Sequence, residues 1–456
     1  MRVLFVTKPF FIEPLGLMYL SAAAKNKGHE VELAVSSQDL EAKVRTFNPQ
    51  VVGFSVMTGD HQEYLELNRR LKSKQRFVSV FGGPHPTFFP DLIEQEGVDA
   101  ICRGEGEEAF PEFLRLLEKG DAFRTNNFWV KQNGQIIRNA QRPLSDIDSL
   151  PFPDREILNS IPEVKDGPIK HFLASRGCPF SCSYCFNDSY AEIYGKGARR
   201  VRFRDPAEVV REVKEVISAS PTKFVYFQDD TFTLNPDWVK SFAAEYKSVG
   251  LPFHCHVRPN TISDAVVASL KGAGCYSVHI AAEAGNDRLR NEILKRGMTK
   301  EQIVKASDLL KEQGIRFMLQ NIIGIPTGSI EEDIETLELN IRCKPDYAWV
   351  SIFQPYPGTS LGEFSRREGI YKGDFNDLRP SFFDSSSLNF TEDYKNQLAN
   401  LQKLFAIFVE NPELHRSGIS RIMINAQRTE EIQRLYREAY TKFRAKADER
   451  LYGFRL

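Results

Sequence analysis

The 456-residue chain lacks any apolar run long enough to cross a membrane, and its formal net charge at pH 7 is only −1. A strand pattern begins at Arg2, without the charged and apolar segments that form a signal peptide. A nearly neutral chain gives no electrostatic reason to bind nucleic acid or an acidic membrane surface. We therefore expect a cytoplasmic protein with reduced thiols, no membrane span and no nucleic-acid partner.

Cysteine is scarce, with seven in the chain, and three of these stand in one short loop. Cys178, Cys182 and Cys185 have the spacing C-x3-C-x2-C, which can bring three thiolates to one metal centre but supplies no fourth. A closed zinc site needs four protein ligands, and the nearest other donor, His171, lies in the preceding predicted strand. The trio suits an iron–sulfur cluster with one open iron, and a zinc knuckle or plain buried thiols is the alternative.

The cysteine spacing, the aromatic Tyr184 before the last cysteine and the predicted strand His171–Ser175 resemble the radical S-adenosylmethionine (radical SAM) superfamily. The resemblance implies a 4Fe-4S cluster on the three cysteines, with S-adenosylmethionine bound to the fourth iron through its amino and carboxylate groups. Reductive cleavage would then give methionine and a 5'-deoxyadenosyl radical, and Tyr184 is placed among the SAM-binding residues. The remaining cysteines are too widely spread for a second cluster: Cys102, Cys255, Cys275 and Cys343.

Residues 1–120 alternate five apolar strand patterns with helical patterns, which predicts a parallel, doubly wound, Rossmann-like (flavodoxin-like) domain. Ligands of such sheets lie beyond the carboxyl ends of the strands. Gly82 and Gly83 follow one strand and would let a ligand approach the backbone closely. With Ser55 and the segment Gly104–Glu107, they resemble the cobalamin-binding domain that is fused to one branch of radical SAM enzymes. The resemblance implies that Ser55, Gly82 and Gly83 bind cobalamin.

The loop after the first strand, residues 7–13, departs from the family pattern D-x-H-x-x-G because it contains no histidine. We therefore expect the lower face of a bound cobalt to lack an imidazole ligand from this loop. His61 is the one histidine that could substitute, although a surface position at a helix start is the favoured interpretation. A flavodoxin-like module that has lost its cofactor, and only shapes the substrate pocket, is the alternative for the whole domain.

The rest of the chain divides into three further predicted segments. Residues 121–170 contain a hairpin, turned by Asn133-Gly134, and a proline-rich linker. Six strand–helix units in residues 171–370 predict a partial (β/α)6 radical SAM barrel with its site residues at strand ends. Residues 371–456 predict a mainly α-helical extension, and we expect its aromatic-rich stretch from 375 to 390 to lie across the barrel mouth.

Residues at the ends of four predicted barrel strands resemble the family's SAM-binding positions. Asp229 and Asp230 would accept from the SAM amino group, and a helix N-cap is the alternative for one of them. Arg258 would bind the methionine carboxylate, or else form a structural ion pair. Glu283 would accept from the ribose hydroxyls, and Ile325 would pack on the adenine.

The chain is thus interpreted as a cobalamin-dependent radical SAM methyltransferase that acts at an unactivated carbon of a small-molecule or lipid substrate. Its electrons would come from a flavodoxin- or ferredoxin-type reductant. The alternative enzyme is a non-methylating relative that catalyses cyclisation, oxidation or coupling, with or without cobalamin. The alternative outside enzymes is a cobalamin or redox sensor, which would not need Asp230, Glu283 or the turn Gly324–Pro326.

Overall fold

The computed structural model describes residues 1–10, 12–195, 201–374, 378 and 381–454. The chain forms two compact units, of which the first comprises residues 1–171, 189–204 and 215–222. The second comprises residues 172–188, 205–214 and 223–456. The four-segment division drawn from the sequence stays a prediction, because a compact unit need not be a separately folding domain.

The first unit is built on a seven-stranded sheet. Its strands are β1 (Arg2–Thr7), β2 (Glu30–Val35), β3 (Val51–Ser55), β4 (Val78–Gly82), β5 (Ala100–Cys102), β6 (Phe128–Gln132) and β7 (Gln135–Arg138). The order is β2-β1-β3-β4-β5-β6-β7, and the first five strands pair in parallel, which confirms the Rossmann-like prediction. The β6–β7 hairpin, which the sequence analysis assigned to the linker segment, is antiparallel and extends this sheet from β5.

Short helices and 3-10 turns connect these strands. The helices are α1 (Leu15–Lys25), α2 (Leu40–Phe47), α3 (His61–Lys72), α4 (Pro84–Phe88), α5 (Ala109–Glu118) and α6 (Pro162–Lys165). The 3-10 helices are Pro90–Glu94, Ala122–Arg124, Ile147–Ser149 and Arg155–Ser160. The helix α2 buries only Leu40, Val44 and Phe47, and it begins at the cap Asp39, whose carboxylate accepts from the Ala42 N–H.

The remaining strands are β8 (Ile169–Phe172), β9 (Ser175–Arg176), β10 (Arg202–Phe203), β11 (Phe224–Phe227), β12 (Phe253–Val257), β13 (Cys275–Glu283), β14 (Arg316–Ile323) and β15 (Tyr347–Ile352). Six of them form an open sheet in the order β15-β14-β13-β12-β11-β8 within the described part of the chain, with β11 to β15 parallel. The prediction of one strand over His171–Ser175 was wrong, since β8 ends at Phe172. The Ala174 N–H and the Ser175 hydroxyl donate to the Asp229 carboxylate instead of continuing the strand.

Helices alternate with these strands and then continue to the C-terminus. They are α7 (Phe186–Tyr194), α8 (Pro206–Ala219), α9 (Pro236–Tyr246), α10 (Asp264–Gly272), α11 (Lys300–Glu312), α12 (Ile330–Cys343), α13 (Ser360–Arg367), α14 (Glu392–Glu410), α15 (Pro412–Arg416), α16 (Ile419–Ile424) and α17 (Glu430–Tyr452). A 3-10 turn spans Pro259–Thr261, and a π-helical turn spans Leu289–Ile293. Thr299 and Ser329 begin α11 and α12 with complete capping boxes, which fixes where both helices start.

The C-terminal extension is helical, as predicted. α14 buries most of its side chains from Leu398 to Phe408 in one apolar cluster with β15. The aromatic-rich stretch predicted at the barrel mouth lies outside the described residues at 375–377 and 379–380. Within the described part, the Phe382 carbonyl accepts from the Ile352 N–H at 2.9 Å, so the stretch reaches the carboxyl end of β15. Of the helices that the structure describes, none combines the length and apolar character needed to span a membrane.

Candidate functional site

The three-cysteine loop lies between β9 and α7 and is fixed at its centre by Ser183. The Ser183 N–H and hydroxyl donate to the carbonyls of Leu294 and Ile293, at 3.2 and 2.5 Å. The Ser183 carbonyl accepts from the Leu361 N–H at 2.8 Å. The short cysteine loop is thus held by residues more than a hundred positions away in the sequence. These contacts give the cysteines one defined arrangement.

Each cysteine sulfur in this loop has hydrogen-bond donors around it. Guanidinium groups of Arg258 and Arg296 each donate to the Cys182 sulfur at 3.5 Å. The Cys178 sulfur accepts from the backbone of Phe180 and the side chain of Thr231, and the Cys185 sulfur accepts from the backbone of Asn187. Donors of this kind stabilise thiolates and tune the potential of an iron–sulfur cluster.

The thiols fit a cluster better than a single ion. Burial raises the pKa of Cys178, and it raises the pKa of Cys185 to about 12, so these thiols stay protonated unless a cation displaces the proton. The three sulfurs are not among the described groups whose ligand atoms all lie within 4.8 Å of one another, as ligands of one zinc ion would be. A cluster places each sulfur on a different iron and tolerates the wider spacing.

His171 is engaged elsewhere in the first unit. Its Nδ1 lies 3.5 Å from the Glu13 carboxylate, and its backbone N–H donates to the same carboxylate at 2.7 Å. Glu13 is 3% exposed and also pairs with Arg155 at 2.6 Å. The imidazole therefore serves a buried ion-pair network, consistent with its exclusion as a cluster ligand.

The two adjacent aspartates after β11 have different surroundings. Asp229 is fully buried and accepts from the Ala174 N–H at 3.2 Å and the Ser175 hydroxyl at 2.5 Å. Burial raises the pKa of Asp229 to about 6, and these hydrogen bonds oppose the rise. Asp229 thus fixes the chain segment that leads into the cysteine loop.

Asp230 is accessible to solvent although protein atoms surround it on most sides, as in a cleft. That surrounding raises the pKa of Asp230, while hydrogen bonds from Asn187 and the Gly177 backbone lower it. The N-cap alternative for the pair is wrong. The cap of α9 is Asn235, whose side chain accepts from the N–H groups of Asp237 and Trp238.

Glu283, at the end of β13, is joined to the loop by a buried network. Its carboxylate accepts from the Tyr184 hydroxyl at 2.8 Å, and Arg296 donates to the same hydroxyl at 3.2 Å. Burial raises the pKa of Glu283, and Arg296, Tyr184 and Arg258 oppose the rise. Glu283 also has a left-handed backbone, with φ of 67°, where β13 shifts register against β14. A non-glycine residue in that conformation is strained, which suits a position selected for its side chain.

Arg258 already has a partner on each of its guanidinium nitrogens. Besides Cys182 it donates to the Asn260 side chain at 2.8 Å and to the Arg296 carbonyl. Its guanidinium carbon also lies 3.7 Å from the centroid of the Phe180 ring. No carboxylate is among these contacts. The described residues therefore do not show the structural ion pair that was the alternative prediction for Arg258.

The turn after β14 is closed by residues from two helices. Gly324 has φ of +67°, and its N–H donates to Asp333 of α12 at 3.0 Å. The same carboxylate accepts from the Tyr394 hydroxyl of α14 at 2.7 Å. The Ile325 side chain is fully buried in an apolar cluster that includes Leu289. The Ile325 side chain is therefore covered, and its carbonyl already accepts from the Gly328 N–H at 2.9 Å.

The carboxyl edge of the first sheet consists mainly of small residues. Ser55 and Gly82 end the adjacent strands β3 and β4 and are partly exposed, whereas the strand residues before them are mostly buried. Gly83 has φ of +92°, and a Cβ there would lie 2.9 Å from the Val56 nitrogen. Met57, the next residue but one after β3, is 58% exposed. An open edge with an exposed apolar side chain fits a large, partly apolar ligand.

The surface position expected for His61 was wrong. His61 begins α3 but is 2% exposed, and its ring stacks on that of His85 with centroids 4.2 Å apart. Burial and the neighbouring His61 lower the pKa of His85 to about 3. The missed signal was the segment Gly83–Pro86, which places a second histidine at the same edge of the sheet.

Sequence reasoning also missed two residues that organise the carboxyl edge of the second, six-stranded sheet, which we call the second edge. Arg296 bridges Cys182, Tyr184 and the Ala281 carbonyl, and it is 7% exposed. Asp333 had no local signal, because its partners lie 9 and 61 positions away.

The fold combines a Rossmann-like first unit with a second unit in which a loop after β9 carries three cysteines. Residues 172–339 match the radical SAM superfamily, and residues 1–114 match the B12 binding domain. An uncharacterised methyltransferase of Pyrococcus horikoshii is 31% identical over 378 residues, which cover 80% of this chain and 80% of that protein. The chain belongs to the radical SAM superfamily and carries a B12-binding domain.

Two more distant relatives differ in what their names say. A hopanoid C-3 methylase of Methylococcus capsulatus is 29% identical over 80% of this chain and 71% of that protein. An anaerobic magnesium-protoporphyrin IX monomethyl ester cyclase of Rubrivivax gelatinosus is 26% identical over 76% of this chain and 65% of its own length.

Solved structures show the same fold. The cobalamin-dependent S-adenosylmethionine radical enzyme OxsB, with aqua-cobalamin and S-adenosylmethionine bound, has a TM-score of 0.72 at 16% identity, covering 98% of this chain and 72% of that one. The radical S-adenosylmethionine methyltransferase TsrM from Kitasatospora setae, with cobalamin and a 4Fe-4S cluster bound, has a TM-score of 0.64 at 18% identity, covering 82% and 76%. The chain is thus a methyltransferase-like, cobalamin-dependent radical SAM enzyme, with a 4Fe-4S cluster, S-adenosylmethionine and cobalamin as its cofactors.

Proposed function

We propose that the protein transfers a methyl group from S-adenosylmethionine to an unactivated carbon of a small-molecule or lipid substrate. The observation that carries the proposal is one chain with both a three-cysteine radical SAM loop and a B12-binding domain. When bound, the cluster supplies the electron that splits S-adenosylmethionine, and cobalamin carries the methyl group. The relative named as an uncharacterised methyltransferase is 31% identical over 80% of both chains, which supports methyl transfer over other radical chemistry.

In this proposal Cys178, Cys182 and Cys185 hold three irons and leave the fourth to S-adenosylmethionine. Asp230 accepts from its ammonium group, because Asp230 faces the cleft, whereas Asp229 uses both carboxylate oxygens on the Ala174–Ser175 segment. Asp229 is then a positioning residue rather than a direct ligand.

Arg258 and Glu283 would bind the carboxylate and the sugar of S-adenosylmethionine. Arg258 binds the carboxylate by exchanging its hydrogen bond to Asn260 for a charged one, which guanidinium geometry favours. Glu283 accepts from the ribose hydroxyls, with Tyr184 holding its other side. The main chain around Ile325 reads the adenine edge.

Ser55, Gly82 and Gly83 receive cobalamin in this proposal, since small side chains leave the carboxyl edge of the first sheet open. The loop of residues 7–13 supplies no imidazole, so we expect the lower face of cobalt to lack a histidine from it. Electron paramagnetic resonance of the cobalt(II) form checks this. Nitrogen superhyperfine splitting that disappears in a His61→Ala variant would instead assign the lower ligand to His61.

A product analysis tests methyl transfer. The reconstituted, reduced protein is incubated with S-adenosylmethionine carrying a trideuterated methyl group and with small-molecule and lipid extracts. The proposal predicts S-adenosylhomocysteine together with 5'-deoxyadenosine, and a compound that gains the labelled methyl group. Formation of 5'-deoxyadenosine alone would contradict it.

A radical cyclase or oxidase is the second candidate, and the alignment with a magnesium-protoporphyrin cyclase is the observation in its favour. That reaction class would leave the label on S-adenosylmethionine or methionine and would remove hydrogen from the substrate. The same incubation therefore separates the two candidates. A flavodoxin- or ferredoxin-type protein is the proposed electron donor in both cases, and its replacement by a chemical reductant should not change the products.

A further inference from the structure

Three histidines converge on one face of the second sheet, apart from the cysteine loop. His254 and His256 alternate on β12 and therefore share one face. His279 of β13 stands opposite His256 in the register, and Tyr226 of β11 stands opposite His254. Adjacent parallel strands thus bring three imidazoles and one phenol together, all within the second unit.

The histidines are close enough to share a ligand. Each offers one ring nitrogen such that the three nitrogens lie within 4.8 Å of one another, the one such group of three among the described residues. The rings of His254 and His279 have centroids 4.2 Å apart, and those of His256 and His279 stack at 5.0 Å. His254 is fully buried and His279 is 7% exposed.

The hydrogen bonds of the three rings determine which ring nitrogens keep a lone pair for a metal ion. The Nδ1 of His254 lies 2.7 Å from the Ser277 hydroxyl, and His256 donates to the Asp229 backbone. The Tyr226 hydroxyl lies 3.0 Å from the Nε2 of His256 and 3.2 Å from the Nδ1 of His279. One tautomer assignment satisfies all four contacts and leaves an Nε2 lone pair on each histidine.

Two of these nitrogens lack any partner. The Nε2 atoms of His254 and His279 are inaccessible to solvent and accept no hydrogen bond from the described residues. Burial lowers the pKa of both histidines well below its ordinary value and that of His256 to about 4. Neutral imidazoles with free lone pairs are metal ligands.

We propose that His254, His256 and His279 bind one divalent transition-metal ion of the zinc class through their Nε2 atoms, with the ion displacing the Tyr226 hydroxyl from His256 and a water oxygen as fourth ligand. Tetrahedral geometry with Zn–N distances of about 2.0–2.1 Å places two nitrogens about 3.4 Å apart. Nitrogens that lie within 4.8 Å of one another therefore need to approach by at most about 1.5 Å. An all-imidazole set without a carboxylate excludes Ca²⁺ and Mg²⁺.

The ion is structural in this proposal. It ties β12 to β13, whose carboxyl ends carry Arg258 and Glu283. The Tyr452 ring at the end of α17 covers the group, with its centroid 5.9 Å from that of His254 and 6.2 Å from that of Tyr226. The site is independent of the cluster and of the reaction proposed above.

The test uses the full-length chain with Cys178, Cys182 and Cys185 all changed to Ala, so that the cluster ligands cannot contribute. This variant is incubated with ZnCl₂, passed through gel filtration and analysed for zinc. The proposal predicts about one Zn²⁺ per chain. Adding His279→Ala should lower retained zinc at least about tenfold, and adding His415→Ala, a histidine of α15, should not. Failure of the cysteine-free chain to retain zinc overturns the proposal without any histidine variant.

Substitution with CoCl₂ gives a second readout, on protein free of cobalamin. Four-coordinate cobalt with nitrogen and oxygen ligands should give intense visible bands without the near-ultraviolet charge transfer of thiolates. Thiolate charge transfer, which would place the ion on other cysteines such as Cys255 or Cys275, would contradict the assignment, as would zinc retention unchanged by His279→Ala in a variant that keeps the parent's circular dichroism.

Discussion

The carboxyl edges of the two parallel sheets are built in different ways. The second edge is dense in side-chain chemistry, since two guanidinium groups reach the sulfur of Cys182 and a carboxylate joins them through Tyr184. The first edge has small residues, a glycine at φ of +92° and the exposed side chain of Met57. The second edge thus offers specific donors and charges to a ligand, whereas the first offers shape and open backbone.

We expect the largest effect from a substitution that disrupts only the second edge. Replacing Cys182 by Ala removes the sulfur that accepts from both arginines, so iron and sulfide should fall at least about tenfold after anaerobic reconstitution, and cleavage of S-adenosylmethionine should cease. Cys275→Ala is the matched control, because Cys275 is buried in β13 and bonds to the Ser277 carbonyl. Equal loss of iron in the two variants would contradict the cluster assignment.

We expect the next largest effect from a substitution that disrupts only the first edge. Gly83→Ala forces a side chain into a left-handed position with a contact 2.9 Å from the Val56 nitrogen, at a cost of about 1–3 kcal/mol. Cobalamin retained after gel filtration, read from its visible absorbance, should fall by about tenfold or more, while iron stays at the parent level. Gly16→Ala is the control, since nothing lies within 4 Å of its Cβ position. Parallel loss of iron and cobalamin would show that the variant misfolds instead.

A smaller effect sharpens the role of the donors in the second edge. Arg296→Gln removes one cationic donor to Cys182, and a hydrogen bond to a charged group contributes about 1.5–3 kcal/mol. The cluster should still assemble, but its reduction midpoint should move to a more negative value, because the reduced cluster carries more negative charge. A redox titration followed by electron paramagnetic resonance measures this. Arg421→Gln, which removes an exposed pair with Glu331, should leave the midpoint where it is.

The smallest effect concerns stability and pH. Burial raises the pKa of Asp333 from 3.8 to about 7, so the folded state holds a proton that the unfolded state releases. The free energy of unfolding should therefore fall as pH rises from about 4 to about 7, by at most about 1.4 kcal/mol per pH unit from this group. Asp333→Asn should remove that component in urea titrations at several pH values.

Asp393→Asn, at an exposed position of α14, is the matched control. It should leave the pH dependence of the free energy of unfolding as in the parent. An unchanged pH dependence in Asp333→Asn would show that Asp333 is ionised throughout. It would also weaken the view that this carboxyl, through Gly324 and Tyr394, links the strand-end turn to the C-terminal helices.

The same contrast explains what the sequence could predict. Alternating strand and helix patterns, and cysteines at a fixed spacing, are local signals, and they gave both sheets and the cysteine loop. Arg296 and Asp333 act through partners that only folding brings near, and Tyr184 lies 112 positions from the arginine that bonds to it. The burial of His61 and the convergence of His254 with His279 also depend on strand order, which no short motif states.

Electron–nuclear double resonance on the reduced protein tests the central claim most directly, because it asks whether S-adenosylmethionine occupies an iron that the protein leaves open. The cofactor is supplied with ¹⁵N in its amino group or ¹⁷O in its carboxylate. Three cysteine ligands predict coupling of both labels to the cluster in the parent chain. A loaded cluster that shows neither coupling would mean that its fourth iron already has a protein ligand, and the proposed chemistry would be wrong.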